Sequence, residues 1–302
     1  MSVLQRQTRR PLLTKRLLAV ADGARETLWP QWYQWFRDAR TRLHASREVP
    51  DALESPNLLA ISALAGLIWD QAVTSPARRD LLTLGARILV EGVQASFPSL
   101  TALFGQRLLF VAGTPDVEQW LTQYVGTQVR DITATTLRTV PQVVREGQEA
   151  GASLIVRTRA IRDTFGLTPR QQQTLTLLQG RLERQGKHVR QVQQILAQAT
   201  SQALRARAQQ IATSEGVTFA NAGLYFATRQ ATQGGPISAS AVRRYWYVVE
   251  DACAICAAIP ALNPDGVGLD EAFQTPIGPV LFPSVHPNCR CVCSTSLVAG
   301  IA

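Results

Sequence analysis

The first 252 residues of this 302-residue chain contain no cysteine, which excludes a disulfide framework as the support of its bulk. Histidine is scarce, with three in all, and lysine is nearly missing, since 29 of the 31 basic residues are arginine. There is no phosphate-binding loop, dinucleotide fingerprint or nucleophile elbow, so the enzyme classes built on those motifs have no footing. Long apolar runs are lacking too. Leu58 to Trp69 is too short for a bilayer and Leu81 to Phe97 carries Arg87 and Glu91, so no membrane span is expected. The opening sixteen residues are basic, but the apolar stretch after them breaks at Asp22 and Arg25, unlike a secretory leader. The expectation is a soluble protein made in a cytoplasm.

What is present is apolar enough to fold. Hydrophobic residues make up 46% of the chain, sufficient for a substantial core in one large domain or two ordinary ones. The net charge of +9 is uneven: +7 over residues 1–47, −4 over 48–150, +8 over 151–213, +1 over 214–250 and −3 over 251–302. Arginine pairs well with phosphate and carboxylate. An arginine-rich genome explains part of the bias, and double-stranded DNA bound without regard to sequence, or an acidic protein surface, is the partner the charge suggests.

Residues 14–230 read mostly as helix. Helix starts are expected at Ser75-Pro76, Thr114-Pro115 and Thr168-Pro169, the last with Gln171 at the capping-box position. Leu81, Leu82, Leu84, Ile88 and Leu89, then Val117, Trp120, Leu121, Tyr124 and Val125, have helical apolar spacing. Trp29, Trp32, Trp35 and Phe36 form one aromatic stripe, read as a protein contact rather than a base-stacking platform. From Arg181 to Arg229 a long helical tract is expected, interrupted near Gly186 and Gly216. Its Val192, Ile195, Leu196, Ala199, Ala203 and Leu204 make one apolar face, with Arg205, Arg207 and Gln209 off it. Gly234-Gly235-Pro236 stops it. The division by composition is thus 1–130, an N-terminal helical region for docking; 131–235, a central basic helical region; and 236–302, a Cys/His module.

In that last module the pattern changes to short strands at Tyr245–Val249, Val280–Phe282 and Cys291–Val298, with many Pro and Gly between. So small and loop-rich a segment buries too little to stand alone. All five cysteines fall here, as Cys253-x-x-Cys256 and His286-Pro-Asn-Cys289-Arg-Cys291-Val-Cys293. Two short ligand couples separated by a loop match a structural zinc site. Cys253, Cys256, His286 and Cys289 would close a Cys₃His shell. Cys291 is a rival ligand, because 289 and 291 share a face in an extended segment, and Cys293 has the weakest claim. A disulfide at Cys289 or Cys291, or free buried thiols, are the alternatives. The fold class expected is mainly α, an elongated helical body followed by a loop-rich α+β module pinned by zinc.

Elsewhere the chemistry is thin. His44 and His188 read as surface residues, and Glu215, Glu250 and Asp251 as isolated structural carboxylates. Residues 263–271 invite a calcium loop, but the alignment puts Val267 and Gln274 at ligand positions, which rejects it.

The run Tyr245-Trp-Tyr-Val-Val-Glu-Asp-x-Cys253-x-x-Cys256, the loop with Phe273 and Gly278, and His286-Pro-Asn-Cys289-Arg-Cys291 together resemble the carboxy-terminal signature of the Mu F-like head morphogenesis proteins, minor head proteins of tailed phages. Arg205-Ala-Arg-Ala-Gln-Gln-Ile211-Ala-Thr-Ser-Glu215 is also similar, although the family more usually has Thr where Ser214 stands. The specific likeness covers about residues 203–293, with a weaker extension to about residue 130 through Arg162-Asp-Thr-Phe-Gly166. The resemblance implies a virion component made in few copies, placed inside the capsid near the portal vertex, touching the portal or the major capsid protein, and needed for head assembly or DNA delivery. It implies no established catalysis. The competing expectations are a zinc-containing nuclease, which needs an open coordination position, and a free-standing DNA-binding regulator, for which no recognition-helix module stands out.

Overall fold

The computed structural model describes residues 11–54, 58–105, 108–233, 235 and 237–298. The protein is mainly helical, with a small antiparallel sheet near the C-terminus. The helices are α1 (Pro11–Ala45), α2 (Glu48–Glu54), α3 (Leu58–Trp69), α4 (Ser75–Phe104), α5 (Pro115–Leu137), α6 (Thr139–Glu149), α7 (Leu154–Thr164), α8 (Pro169–Arg184), α9 (Val189–Gln233) and α10 (Ala254–Leu262). The strands are β1 (Val242–Tyr247), β2 (Val267–Gly268) and β3 (Val292–Leu297), in the order β2-β1-β3. β1 pairs antiparallel with both neighbours, and Trp246 stands opposite Cys293.

The chain divides into two compact units. The first comprises Met1–Trp29, Leu82–Thr122 and Gln210–Ala302; the second comprises Pro30–Leu81 and Gln123–Gln209. These units follow contacts, whereas the consecutive division at 131 and 236 follows composition.

The second unit is built on aromatic packing. Trp32 and Phe36 of α1 are fully buried, so most of the aromatic stripe is core, while Trp29 is only half-buried. Phe36 stacks on Trp69 of α3 at 5.6 Å, and Phe165 meets Trp69 edge-on at the same distance. Such arrangements exploit the ring quadrupole. Pro30 sits inside α1 without ending it. Arg207, placed off the apolar face by its sequence position, is instead buried. Its guanidinium lies 5.0 Å over the Phe36 ring and donates to the Gly166 and Ile132 carbonyls. A buried cation needs such partners, and desolvation still lowers its pKa to about 10.

Several boundaries differ from the sequence expectation. Ser75-Pro76 does not start a separate helix, because a π-helical turn, Asp70–Thr74, carries α3 directly into α4. Proline denies the backbone an amide and crowds the previous turn; the wider turn accommodates it, and the Ser75 hydroxyl donates to Asp70. The two apolar stretches thereby join into one helical run, Leu58–Phe104, the one span among the described residues long and apolar enough to cross a membrane by length and composition. Thr168 and Gln171 do form the reciprocal capping box at α8, and α5 begins at Pro115. Gly186 breaks the long tract, with φ +69°. Gly216 does not, and α9 runs on to Gln233. A Cβ at 216 would stand 2.7 Å from the Ala21 carbonyl oxygen, so this glycine serves helix contact. Gly234 and Pro236, and the first ten residues, lie outside the described residues.

In the first unit α9 is the hub. Phe219 and Phe226 meet Trp120 of α5, which also contacts Phe282 of the tail. One apolar core joins Leu17, Leu89, Val93 and Leu224 to Trp246, Ile259, Phe273 and Val292. Val280 makes a single bridge with Phe273 rather than a strand. The Pro/Gly-rich tail contains α10, which the density of helix breakers concealed.

Candidate metal centre

The helical start of α10 presents the first ligand couple. Cys253 is its N-cap residue, in an extended conformation, and Cys256 lies one turn on, so both sulfurs occupy the same end of the helix. The amides of Cys256 and Ile255 pull the exposed Cys253 thiol below its usual pKa, as a helix N-terminus favours a thiolate.

The second couple comes from the loop before β3. The Cys289 amide donates to the His286 carbonyl, and Asn288 between them adopts a left-handed φ of 62°. This tight knuckle turns imidazole and thiol toward α10. His286 Nδ1 lies 2.8 Å from the Pro287 carbonyl; when Nδ1–H donates there, the Nε2 lone pair faces the sulfurs, the orientation a ligating histidine needs.

The donors converge. His286 Nε2 is 3.1 Å from Cys253 Sγ and 3.0 Å from Cys256 Sγ, and Cys256 Sγ is 3.8 Å from Cys289 Sγ. Two overlapping groups result, Cys253 with Cys256 and His286, and Cys256 with Cys289 and Cys291, each with its ligand atoms within 4.8 Å of one another. Two thiolates about 2.3 Å from a tetrahedral ion stand about 3.8 Å apart, and a thiolate and an imidazole about 3.6 Å apart. The sulfur–sulfur separation already fits. The sulfur–nitrogen separations are those of thiol–imidazole hydrogen bonds, which an ion would widen by about half an ångström.

Charge is distributed unequally among the thiols. Hydrogen bonding from the Cys291 thiol, with backbone amides adding to it, brings Cys289 down to about 5. The same bond and burial drive Cys291 up, while burial beside Cys289 pushes Cys256 up to about 12. Cys293 belongs to neither group. It is buried, and burial pushes it up to about 12. All five cysteines are free thiols in the structure.

A polar stripe on α9 holds this assembly, and it was not foreseen. Ser214 Oγ accepts from the Asn288 amide, and Thr218 Oγ1 accepts from the Ser284 amide. Asn221 donates to the Cys291 carbonyl and accepts from the Cys293 amide at 2.7 Å. The Tyr225 hydroxyl donates to Asp270 at 2.6 Å. Burial, then that bond, push its phenol up to about 12. These four positions repeat every three or four residues, so they fall on one side of the helix; the same period was the available signal. Arg244 of β1, fully buried, donates to the carbonyls of Gly268, Leu281 and Glu271 and lies over the Tyr225 and Phe273 rings. It gathers the loop between β2 and the knuckle.

The remaining candidates stay out of the site. His44 is exposed, with Nε2 3.2 Å from the Arg162 carbonyl, and exposed His188 accepts from the Arg190 amide at the start of α9. Glu215 is buried. In the rejected calcium loop, Asn263 binds Ile259 and Gln274 backbone groups, and Glu271 accepts from the Gly268 amide.

Comparison with protein-family models, curated proteins and solved structures found no match.

Proposed function

We propose that this cluster holds one structural zinc ion through Cys253, Cys256, His286 and Cys289, with Cys291 hydrogen-bonded to Cys289, and that the chain is a Mu F-like minor head protein of a tailed phage. The observation that carries the metal reading is the meeting of a helix N-terminus and a loop knuckle, 33 residues apart in sequence between Cys253 and His286, where Cys256 is shared by two donor groups, one with Cys253 and His286 and one with Cys289 and Cys291. Sulfur-rich tetrahedral sites with four protein ligands select zinc and leave no position for water or substrate. The ion therefore serves folding, not catalysis, and the nuclease reading lacks the open coordination position it requires.

The head-protein reading is supported by the residues that carry the family likeness. They fall on the parts that build this module: β1, the N-terminus of α10, the His286–Cys291 knuckle, and the Ser214 turn of α9 that anchors it. On this reading the protein is a non-enzymatic virion component inside the capsid near the portal vertex, gripping the portal or major capsid protein and touching packaged DNA. The test is imaging of heads assembled with and without the chain. Density at the portal vertex that disappears with the chain, with failed assembly or DNA delivery, is expected. Absence of the chain from purified particles, or magnesium-dependent DNA cleavage by the purified protein, overturns it.

A further inference from the structure

We infer that the solvent-facing side of α9 between Arg190 and Gln209, with Tyr33 and Arg37 of α1, binds the phosphate backbone of double-stranded DNA without reading its sequence. The inference rests on the reading that the chain touches DNA and assigns the contact to a surface.

Charge is the first observation. The unit formed by residues 30–81 and 123–209 holds 19 Lys and Arg against 11 Asp and Glu, and so carries +8 of the +9 net charge. Between Arg184 and Ser214 the sequence contains no acidic residue. Within that stretch Arg190, Gln194, Gln198, Ser201, Gln202 and Arg205 are all exposed; the steps of three and four from Arg190 through Gln194, Gln198 and Ser201 to Arg205, with Gln202 beside Ser201, keep them on one side of the helix. At 1.5 Å per residue this row of donors is about 22 Å long.

Geometry is the second. The Arg205 guanidinium lies 5.6 Å from the Tyr33 ring centre and that of Arg37 5.8 Å from it. Both cations are held against one ring, which limits the rotamer freedom lost on binding. Beside them is a groove of about 380 Å³ lined by Tyr33, Ala197, Gln198, Ser201, Gln202 and Arg205. Guanidinium forks, carboxamides and a hydroxyl are the side chains that contact phosphate oxygens, and α9 carries no carboxylate between Arg190 and Gln209 to repel them. With the guanidiniums already over Tyr33, the ring is covered rather than offered to a base, which favours duplex backbone over a stacked single strand.

The test uses the full chain and fluorescence anisotropy of labelled duplexes of about 30 base pairs, titrated between about 50 and 200 mM salt. The wild-type protein should bind unrelated sequences alike, with affinity falling steeply with salt. Arg37→Gln combined with Arg205→Gln should lose about tenfold or more in affinity and reduce the slope of log affinity against log salt by about 2. Arg87→Gln, in the other unit, should change neither. Unchanged binding by the double variant overturns this surface while leaving a DNA contact standing elsewhere. Preference for single strands, or equal displacement by polyglutamate, also overturns it. A wild-type chain that holds its metal yet binds no duplex removes the DNA contact altogether, and leaves the metal module and the portal reading to their own tests.

Discussion

Asn221 works at both ends of its amide, accepting from the buried Cys293 amide and donating to the Cys291 carbonyl. It thereby fixes the segment that delivers Cys289 and Cys291 to the cluster. Replacing it with alanine would leave a buried N–H without an acceptor, a loss of about 1–3 kcal/mol. Asn221→Ala is expected to lower the thermal midpoint by several degrees and to speed proteolysis within residues 284–293, with helical circular dichroism near normal. A midpoint and cleavage pattern indistinguishable from wild type would show that Asn221 does not anchor the knuckle. Arg207 teaches the same lesson about single residues. Its position in an arginine-rich tract suggested solvent, and only the neighbouring carbonyls and the Phe36 ring explain its burial.

At the scale of elements, two helical glycines of opposite kind test the packing argument. A Cβ at Gly216 meets the backbone of α1, whereas one at Gly180, inside α8, meets nothing within 4 Å. Alanine gains about 1 kcal/mol of helix propensity at either place, but overpacking costs about 1–3 kcal/mol. Chemical denaturation should therefore find Gly180→Ala stabilised and Gly216→Ala destabilised; equal effects would refute the close contact. The same pair shows what was legible beforehand. Helical periodicity and the Thr168 cap were readable because they are local. The meaning of Gly216 and the continuity through Ser75-Pro76 depend on what lies against the helix, so a local rule predicted breaks at both. The donor couples were readable from spacing, because a tetrahedral ion imposes short-range pairs. The supporting stripe Ser214, Thr218, Asn221 and Tyr225 offered only a helical period, which assigns no role to its members until their partners are known.

At the scale of the whole molecule, the two units differ in kind. One holds nearly all the net charge and an acid-free helical face; the other holds the sheet, the Arg244 clamp and the sulfur cluster. A tail of this size has too little apolar burial to stand alone, and metal affinity supplies folding free energy to such segments. The most direct measurement is metal content of the purified full chain, combined with X-ray absorption at the zinc edge. The expected result is about one zinc per chain, with three sulfurs at about 2.3 Å and one nitrogen at about 2.0–2.1 Å, and loss of that zinc in His286→Ala and Cys256→Ser. A chain that purifies folded with no stoichiometric metal, or with a shell of oxygen donors, would contradict it.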